Sequence, residues 1–539
     1  MKRIASPLAR LFPLALILIL LWASSPGAQV PPALPEVIVK FRESRTFSSL
    51  LATFPEAEAV LPLRSQGGEV LIRARDFEEL SRLIERLEAS GQVEYLGVNV
   101  VKTLSSFIPQ DPLFFNGFPD QIKFENQYYL QLIRAPQAWE VTTGSDQVVV
   151  ALIDSGAELN HPDLAPNLWV NQAEASGEPG VDDDGNGWVD DLHGVDVTCN
   201  NAPGKQSSDC TPEEVQPIDK ELAVTGGHGL AVAGLIAAVT DNGIGMSGVA
   251  GGGNGGSGIR LMVIRTGTTQ ITVADEIEAI DYAIQMGADI INMSFGGASG
   301  GAPEENAVNR AWDAGIVLVA ASGNKGANPS VVYEFPAGFD RVIGVGATTI
   351  LPNPDGGPVG ETLATFTKWD PNRDAQSLVA PGYDMVSLAP DGKYRTMSSE
   401  SCTLKGFEIR LCGTSFATPL VTGVAALVRS ANPLINNVQV RQILETTADD
   451  LGDPGYDRKY GFGRVNAQRA VAEAVNRKLT GDLNGDGVVD EADLDELRTR
   501  YGARQGQSQY NRDMDLNGDG VIDELDALII GQHYGESVQ

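Results

Sequence analysis

Four histidines occur in the chain, His161, His193, His228 and His533. The side chain that takes and returns a proton near neutral pH is most often histidine. His228 lies in Thr-Gly-Gly-His-Gly and opens a run of small and apolar residues that reads as a helix. Glycines on both sides let other backbones come close. His161 sits in His-Pro-Asp-Leu just past a strand end, and His193 in an acidic loop. His533 belongs to a C-terminal repeat whose first copy has no histidine, so a surface role is expected there.

Three further residues could work with His228. Asp154 closes Ala-Leu-Ile-Asp-Ser-Gly at the end of an apolar strand. A carboxylate there can accept the Nδ1 proton bond of a histidine, fixing its tautomer and stabilising the imidazolium. Ser415, in Cys-Gly-Thr-Ser-Phe-Ala-Thr-Pro-Leu-Val-Thr-Gly, stands at or near the start of a helix-like run. Free backbone N–H groups at a helix start favour negative charge. The Ser415 amide can therefore donate to an oxyanion formed when its own hydroxyl attacks a carbonyl. Asn324, in Ala-Ala-Ser-Gly-Asn-Lys-Gly, follows another strand end and offers a second donor. Such a donor is worth about 3–4 kcal/mol of transition-state stabilisation, a figure that itself comes from the family named below. Taken singly, each residue has a structural explanation: a packed histidine, an aspartate capping a turn, an N-cap serine. Together, in the chain order Asp, His, Asn, Ser, they describe nucleophilic acyl transfer.

Such a set needs elements whose ends converge. Residues 147–153, 289–293 and 315–321 read as buried apolar strands. Residues 230–239 suit a helix, 275–286 an amphipathic helix through Ile277, Ile280 and Ile284, and 421–428 continue a helix begun just before them. Strands alternating with helices predict an α/β fold with a doubly wound, mostly parallel sheet covered on both faces. Its chemistry belongs in the crevice beyond the carboxyl ends of the strands. Upstream, 36–41 and 93–96 read as strands around a helix in which Phe77, Leu80, Ile84 and Leu87 recur at helical spacing, with Asp76 as N-cap. This small α+β unit ends near Lys102.

On these segments the chain resembles the subtilisin-like serine proteases, the subtilases. The matching pieces are Ala-Leu-Ile-Asp154-Ser-Gly, Gly-His228-Gly-Leu-Ala-Val-Ala-Gly, Ser-Gly-Asn324 and Gly-Thr-Ser415-Phe-Ala-Thr-Pro, within a stretch from about 111 to 470. The resemblance implies a serine endopeptidase acting on proteins and peptides, with Asp154, His228 and Ser415 as triad and Asn324 in the oxyanion hole. Asn292-Met-Ser-Phe-Gly-Gly297 resembles the strand that pairs with substrate backbone, which makes Ser294, Phe295, Gly296 and Gly297 substrate-binding residues. Residues 31–102 resemble the family's I9-type propeptide, a chaperone and inhibitor that the enzyme domain binds. The family usually has Thr, then often His, after the His-Gly pair. Leu230 and Ala231 stand there instead, which implies altered packing, not lost activity.

The acidic residues form patterns of their own. Asp482-Leu-Asn-Gly-Asp-Gly-Val-Val-Asp490 recurs as Asp515-Leu-Asn-Gly-Asp-Gly-Val-Ile-Asp523, 33 residues on. Oxygen ligands fall at loop positions 1, 3, 5, 9 and 12: Asp482, Asn484, Asp486, Asp490 and Asp493, then Asp515, Asn517, Asp519, Asp523 and Asp526. Val488 and Val521 would add backbone carbonyls, and Gly487 and Gly520 provide the sharp turn. This is the EF-hand calcium pattern with Asp, not Glu, at position 12. Two such copies resemble dockerin modules, which implies a cohesin-type scaffold as partner. A third loop, with Asp182, Asp184, Asn186 and Asp190, repeats the first part of the pattern inside the enzyme region, but its position 12 is His193. Calcium is expected in all three.

Composition bounds the rest. The 539 residues carry 71 acidic and 39 basic side chains, a formal charge of −32, which disfavours a nucleic-acid partner. Lys2, Arg3 and Arg10 precede an apolar run from Leu11 to Trp22, with small residues after it. The run is shorter than the roughly 20 residues a bilayer needs, so it reads as a cleaved secretory signal, and no membrane association is expected after its removal. Cys199, Cys210, Cys402 and Cys412 fall as two close pairs in loops. In an oxidising compartment these read as two disulfides, of which Cys199–Cys210 with Cys402–Cys412 is the most local of three pairings. The expected organisation is a signal at 1–28, a propeptide domain at 31–102, a linker and lead-in at 103–135, a peptidase domain at 136–475 and a dockerin-like pair of helical calcium loops at 480–539. The alternative is a binding or cargo protein whose tail docks to a cohesin-type partner. An inactive subtilase fold is disfavoured because all four chemical positions are filled.

Overall fold

The computed structural model describes residues 36–42, 57–62, 70–75, 77–90, 92–98, 107–114, 127–201, 205–220, 227–326, 333–351, 360–370, 375–395, 412–477, 479–484 and 488–535. The chain divides into two units, Met1–Ser105 and Ser106–Gln539. In the smaller, strands β1 (Glu36–Phe41), β2 (Ala57–Pro62), β3 (Val70–Ala74) and β4 (Val93–Val98) form an antiparallel sheet in the order β2-β3-β1-β4. The helix Phe77–Ala89 lays Leu83, Ile84 and Leu87 on Val37, Val39 and Ile72. The sequence reading has β1, the helix and β4. It lacks β2 and β3, whose short runs, one ending in proline, carry little periodicity. The expected N-cap Asp76 and the signal segment 1–28 lie outside the described residues.

The larger unit is built on parallel strands β5 (Val149–Asp154), β6 (Gly194–Asp196), β7 (Arg260–Arg265), β8 (Ile290–Met293), β9 (Val317–Ala321) and β10 (Ile343–Leu351). They run in the order β10-β9-β8-β5-β7-β6. β11 (Gly360–Leu363) adds antiparallel to β10, and β12 (Leu378–Pro381) pairs parallel with β10. Alternate side chains of each strand serve two cores. Val150, Leu152, Val263, Ile290, Val317 and Val345 pack under the helices His228–Ala237 and Thr414–Ala431. Ala151, Ile153, Ile264, Ile291, Met293 and Leu318 pack under Val273–Gln285 and Ala302–Asp313. The sheet is therefore doubly wound, as its apolar runs predict.

Residues 107–114 of the lead-in are pinned to the core of the larger unit, with Phe107 and Phe114 against Trp139. Asp111 accepts from the backbone N–H groups of Asp241, Asn242 and Gly243 and from Ser247 Oγ at 2.6–3.1 Å. At the other end the helices Glu491–Arg498 and Glu524–Gln532 share a small core of Val489, Leu497, Met514, Ile522 and Ile530. This tail rests on the helix Asn437–Thr446, with Arg512 paired to Glu445 at 2.9 Å and Thr480 Oγ1 donating to Leu434 O at 3.0 Å. Cys199 and Cys210 are disulfide-bonded with Cα atoms 6.0 Å apart. Cys412 is also disulfide-bonded, and its expected partner Cys402 lies outside the described residues. Among the described residues no helix is long and apolar enough to cross a membrane.

Candidate active site and acidic loops

β5 ends on Asp154 with β7 and β8 in parallel on either side, so its carboxylate stands at the carboxyl edge where the strand order turns. Asp154 Oδ1 accepts from His228 Nδ1 at 2.8 Å and from the Ser155 N–H at 2.7 Å. A carboxylate has no proton to give, so Nδ1 carries it and Nε2 is left to accept one. His228 begins its helix, and Gly229 allows the approach: a Cβ there would lie 2.2 Å from the Gly156 carbonyl oxygen. Behind the pair, Ser155 Oγ accepts from the Gly229 N–H at 3.1 Å and donates to Asp219 at 3.3 Å. Burial pulls the imidazole pKa down, but the charge and hydrogen bond of Asp154, with the charge of Asp219, outweigh it and hold it above the usual 6.5.

The helix Thr414–Ala431 starts one residue before Ser415, with Gly413 as N-cap. Ser415 therefore lies inside the first turn and is not the N-cap. Phe416 sets its ring 5.5 Å from the His228 ring, which brings this turn against the histidine. Asn324 follows β9. Its Oδ1 accepts from Thr414 N at 2.9 Å and Thr414 Oγ1 at 3.1 Å, while Gly323 N donates to Thr414 Oγ1 at 3.2 Å. A backbone N–H can only donate, so the amide oxygen faces the helix start and Nδ2 is free to serve another acceptor. Leu230 and Ala231 are fully buried in the core, in keeping with a packing role.

A cleft of about 680 Å³ runs from Asp154, Ser155 and His228 past residues 267–273 to Ser294, Phe295, Gly296 and Gly297. Gly297 is held on both its N–H and its C=O by Phe335, at 3.0 Å each, so its hydrogen-bonding edge is already used. A slightly larger cavity, about 790 Å³, lies between the parallel-sheet core and the tail and carries none of Asp154, His228, Asn324 and Ser415. The other histidines are engaged elsewhere. His161 is fully buried with Nε2 3.1 Å from Lys393 O, and His193 Nδ1 lies 2.8 Å from Trp169 O.

Residues 145–463 match the family described as "Subtilase family". The chain belongs to the subtilases. It is 30% identical to the thermophilic serine proteinase of Bacillus sp. (strain AK1) over 81% of this chain and 87% of that one. It is also 30% identical to thermitase of Thermoactinomyces vulgaris over 68% of this chain and 99% of that one. With subtilisin DY of Bacillus licheniformis it shares 36% identity over 46% of this chain and 77% of that one. This subtilase is a serine protease, and residues 480–533 match a dockerin type I domain.

The acidic loops share one hydrogen-bond frame. In the second tail loop, Asp526 Oδ1 accepts from Leu516 N at 2.6 Å and Asn517 N at 3.2 Å, and Oδ2 from Asp523 N at 2.8 Å. In the first, Asp493 accepts from Leu483, Asn484 and Asp490 at 2.7, 3.1 and 2.8 Å. Asp486 and Gly487 lie outside the described residues. In the loop within the enzyme domain, the same three N–H groups belong to Asp183, Asp184 and Asp190. Their acceptor is Glu174, at 2.8, 3.3 and 2.9 Å. Glu174, from the short helix Gln172–Ser176 upstream, thus stands where the tail loops place their twelfth residue. Oxygens of Glu174, Asp182 and Asp184 lie within 4.8 Å of one another. Position 5 matches too: Asn186 Oδ1 accepts from Trp188 N at 2.7 Å, as Asp519 Oδ1 does from Val521 N at 2.8 Å. Position 9 carboxylates turn aside to backbone donors, Asp190 to Gly180, Asp490 to Ala492 and Asp523 to Leu525. Asp493 and Asp526 also close capping boxes on the helices that follow, a reach that suits aspartate better than the longer glutamate.

These donor sets fit a hard cation, since every ligand atom they gather is oxygen. Burial first, then the charge of Asp515, pushes the Asp526 carboxyl up to about 6, although three hydrogen bonds favour its charge. A bound cation would reverse that repulsion. Glu174 escapes the sequence pattern because it precedes the loop; its one signal is an acidic residue in a short helix just upstream of an incomplete motif.

Proposed function

We propose that the chain is a secreted, self-processing zymogen of a calcium-stabilised serine endopeptidase, and that the Asp154–His228 bond at 2.8 Å carries this reading. Ser415 Oγ adds to the scissile carbonyl while His228 Nε2 takes its proton. The oxyanion rests on Asn324 Nδ2 and the Ser415 N–H. Collapse expels the amine, which leaves with the proton from His228, and water assisted by His228 then frees Ser415 from the acyl group. Asp154 keeps the proton on Nδ1 throughout. Thr414 fixes the Asn324 amide before substrate arrives, so the donor needs no reorganisation in the transition state. Ser294, Phe295 and Gly296 hold the substrate, and Gly297, its edge taken by Phe335, lines the cleft beside them.

Residues 1–28 direct secretion and 31–102 act as propeptide, bound until a cut within 103–112. Asp182, Asp184 and Asn186, now with Glu174, hold calcium in the enzyme domain. Asp482, Asn484, Asp486, Val488 and Asp493, and Asp515, Asn517, Asp519, Val521 and Asp526, do so in the tail. The ion supplies a charge that ties loop ends together. A second role follows from the dockerin match: the tail docks to a cohesin-type scaffold, and the exposed Leu525, Leu528 and Tyr534 favour it. Reaction of the matured enzyme with a sulfonyl fluoride tests the core of this proposal. It should abolish peptide hydrolysis with the sulfonyl group mapped to Ser415 Oγ; loss of activity through another residue would contradict it.

A further inference from the structure

Two carboxylates in the cleft are used by no step above. Glu276, in the first turn of Val273–Gln285, and Glu304, in the first turn of Ala302–Asp313, both line the cleft that holds Asp154, His228 and Ser294. Their exposures are 4% and 1%. Carboxylates at helix starts commonly serve the helix, and Glu304 does accept from Gly300 N at 2.5 Å. Glu276 is not needed for that purpose. Thr272 Oγ1 accepts from Asp275 N at 3.2 Å and donates to Asp275 Oδ2 at 2.6 Å, which completes the cap. Glu276 Oε1 is buried with no hydrogen-bond partner.

Burial, then the charge of Glu304, pushes the Glu276 carboxyl up to about 8, and burial raises Glu304 as well. Among the described residues neither is paired with a cationic side chain. Glu334 makes the contrast. Its side chain lies against Gly296 and Gly323, and Lys325 Nζ meets it at 2.7 Å. Ile271, Val273 and Phe295 line the same cleft as Glu276 and give an apolar wall for a long aliphatic stem. Lysine and arginine bury such stems and present the charge at the tip.

We infer that Glu276 and Glu304 form a subsite for a lysine or arginine side chain of the substrate, on the part of the peptide that precedes the scissile bond. This rests on the peptidase reading. A polar site left without its matched partner discriminates strongly against a neutral ligand, so the preference should reach at least about tenfold in kcat/KM.

The test uses the matured full-length enzyme and peptides that differ only in lysine, arginine or norleucine at the second, third or fourth residue before the cut. One position should favour the cation at least about tenfold over norleucine. The lysine-to-norleucine ratio should collapse in Glu276→Gln and shrink in Glu304→Gln. A merely structural Glu276 would lower both peptides alike and leave the ratio standing, which overturns the assignment. Should the variants fail to mature, the unaltered enzyme decides: a ratio near one at every position, with casein readily hydrolysed, overturns the subsite and spares the peptidase. Absence of casein hydrolysis overturns both.

Discussion

The tail loop 515–526 and the enzyme-domain loop 182–190 hang the same frame of N–H donors on different chain paths. In the tail, the carboxylate that gathers positions 2, 3 and 9 is Asp526, which closes the loop at position 12 and also caps the next helix. In the enzyme domain the gatherer is Glu174, which comes before the loop. The geometry needs a carboxylate at one point in space and is indifferent to which side of the loop supplies it. One site is written in a single stretch; the other is assembled from two. The four residues proposed for catalysis, Asp154, His228, Asn324 and Ser415, are assembled in the same sense, drawn from four element ends.

Variants can break or sharpen this contrast. The largest effect is expected where assembly serves chemistry. Asn324→Ala should lower kcat by about 10²–10³-fold with KM little changed, the loss known for such a donor in subtilisins; a fall of less than fivefold would remove Asn324 from the oxyanion hole. Next comes Glu174→Gln, which should weaken calcium in the enzyme-domain loop at least about tenfold. With calcium well above both dissociation constants, a tenfold loss is about 1.4 kcal/mol of stability, or about 2–4 °C in Tm. Asp526→Asn should do the same to the tail and leave the enzyme-domain transition in place. If His193→Ala weakened calcium and Glu174→Gln did not, the linear motif would be the right description and the comparison would fail.

A pH profile probes the histidine. Only neutral His228 can take the serine proton, and Asp154 holds its pKa above 6.5. Activity should therefore fall as pH drops through a midpoint above 6.5, and a midpoint below that value would contradict the pairing. The smallest effect is expected from Thr414→Val, which removes a hydrogen bond to Asn324 and one from Gly323. About 0.5–1.5 kcal/mol of stability and a several-fold loss in kcat should follow; an unchanged kcat would mean that the Thr414 N–H alone orients the amide.

Much of this was legible in the sequence because it rests on local regularities. The apolar run ending at Asp154 marks β5, and a glycine-flanked histidine and a serine before an apolar run mark two helix starts. The chain order then makes four bland residues jointly informative. What escaped depends on contacts across the chain. β2 and β3 gain their pattern only by pairing. The cap itself was not legible: Ser415, read at or near the helix start, stands in the first turn, and Gly413 is the N-cap. Glu174, Glu276 and Glu304 look like ordinary surface acids until the fold buries them, and Gly297 looks like free substrate edge until Phe335 pairs with it.

The account stands most directly on Ser415→Ala, expressed from the whole gene and followed by mass and N-terminal sequence. The expected product is a precursor that loses its signal, keeps residues 31–102 attached and hydrolyses no peptide. Normal maturation with peptide hydrolysis retained would contradict it.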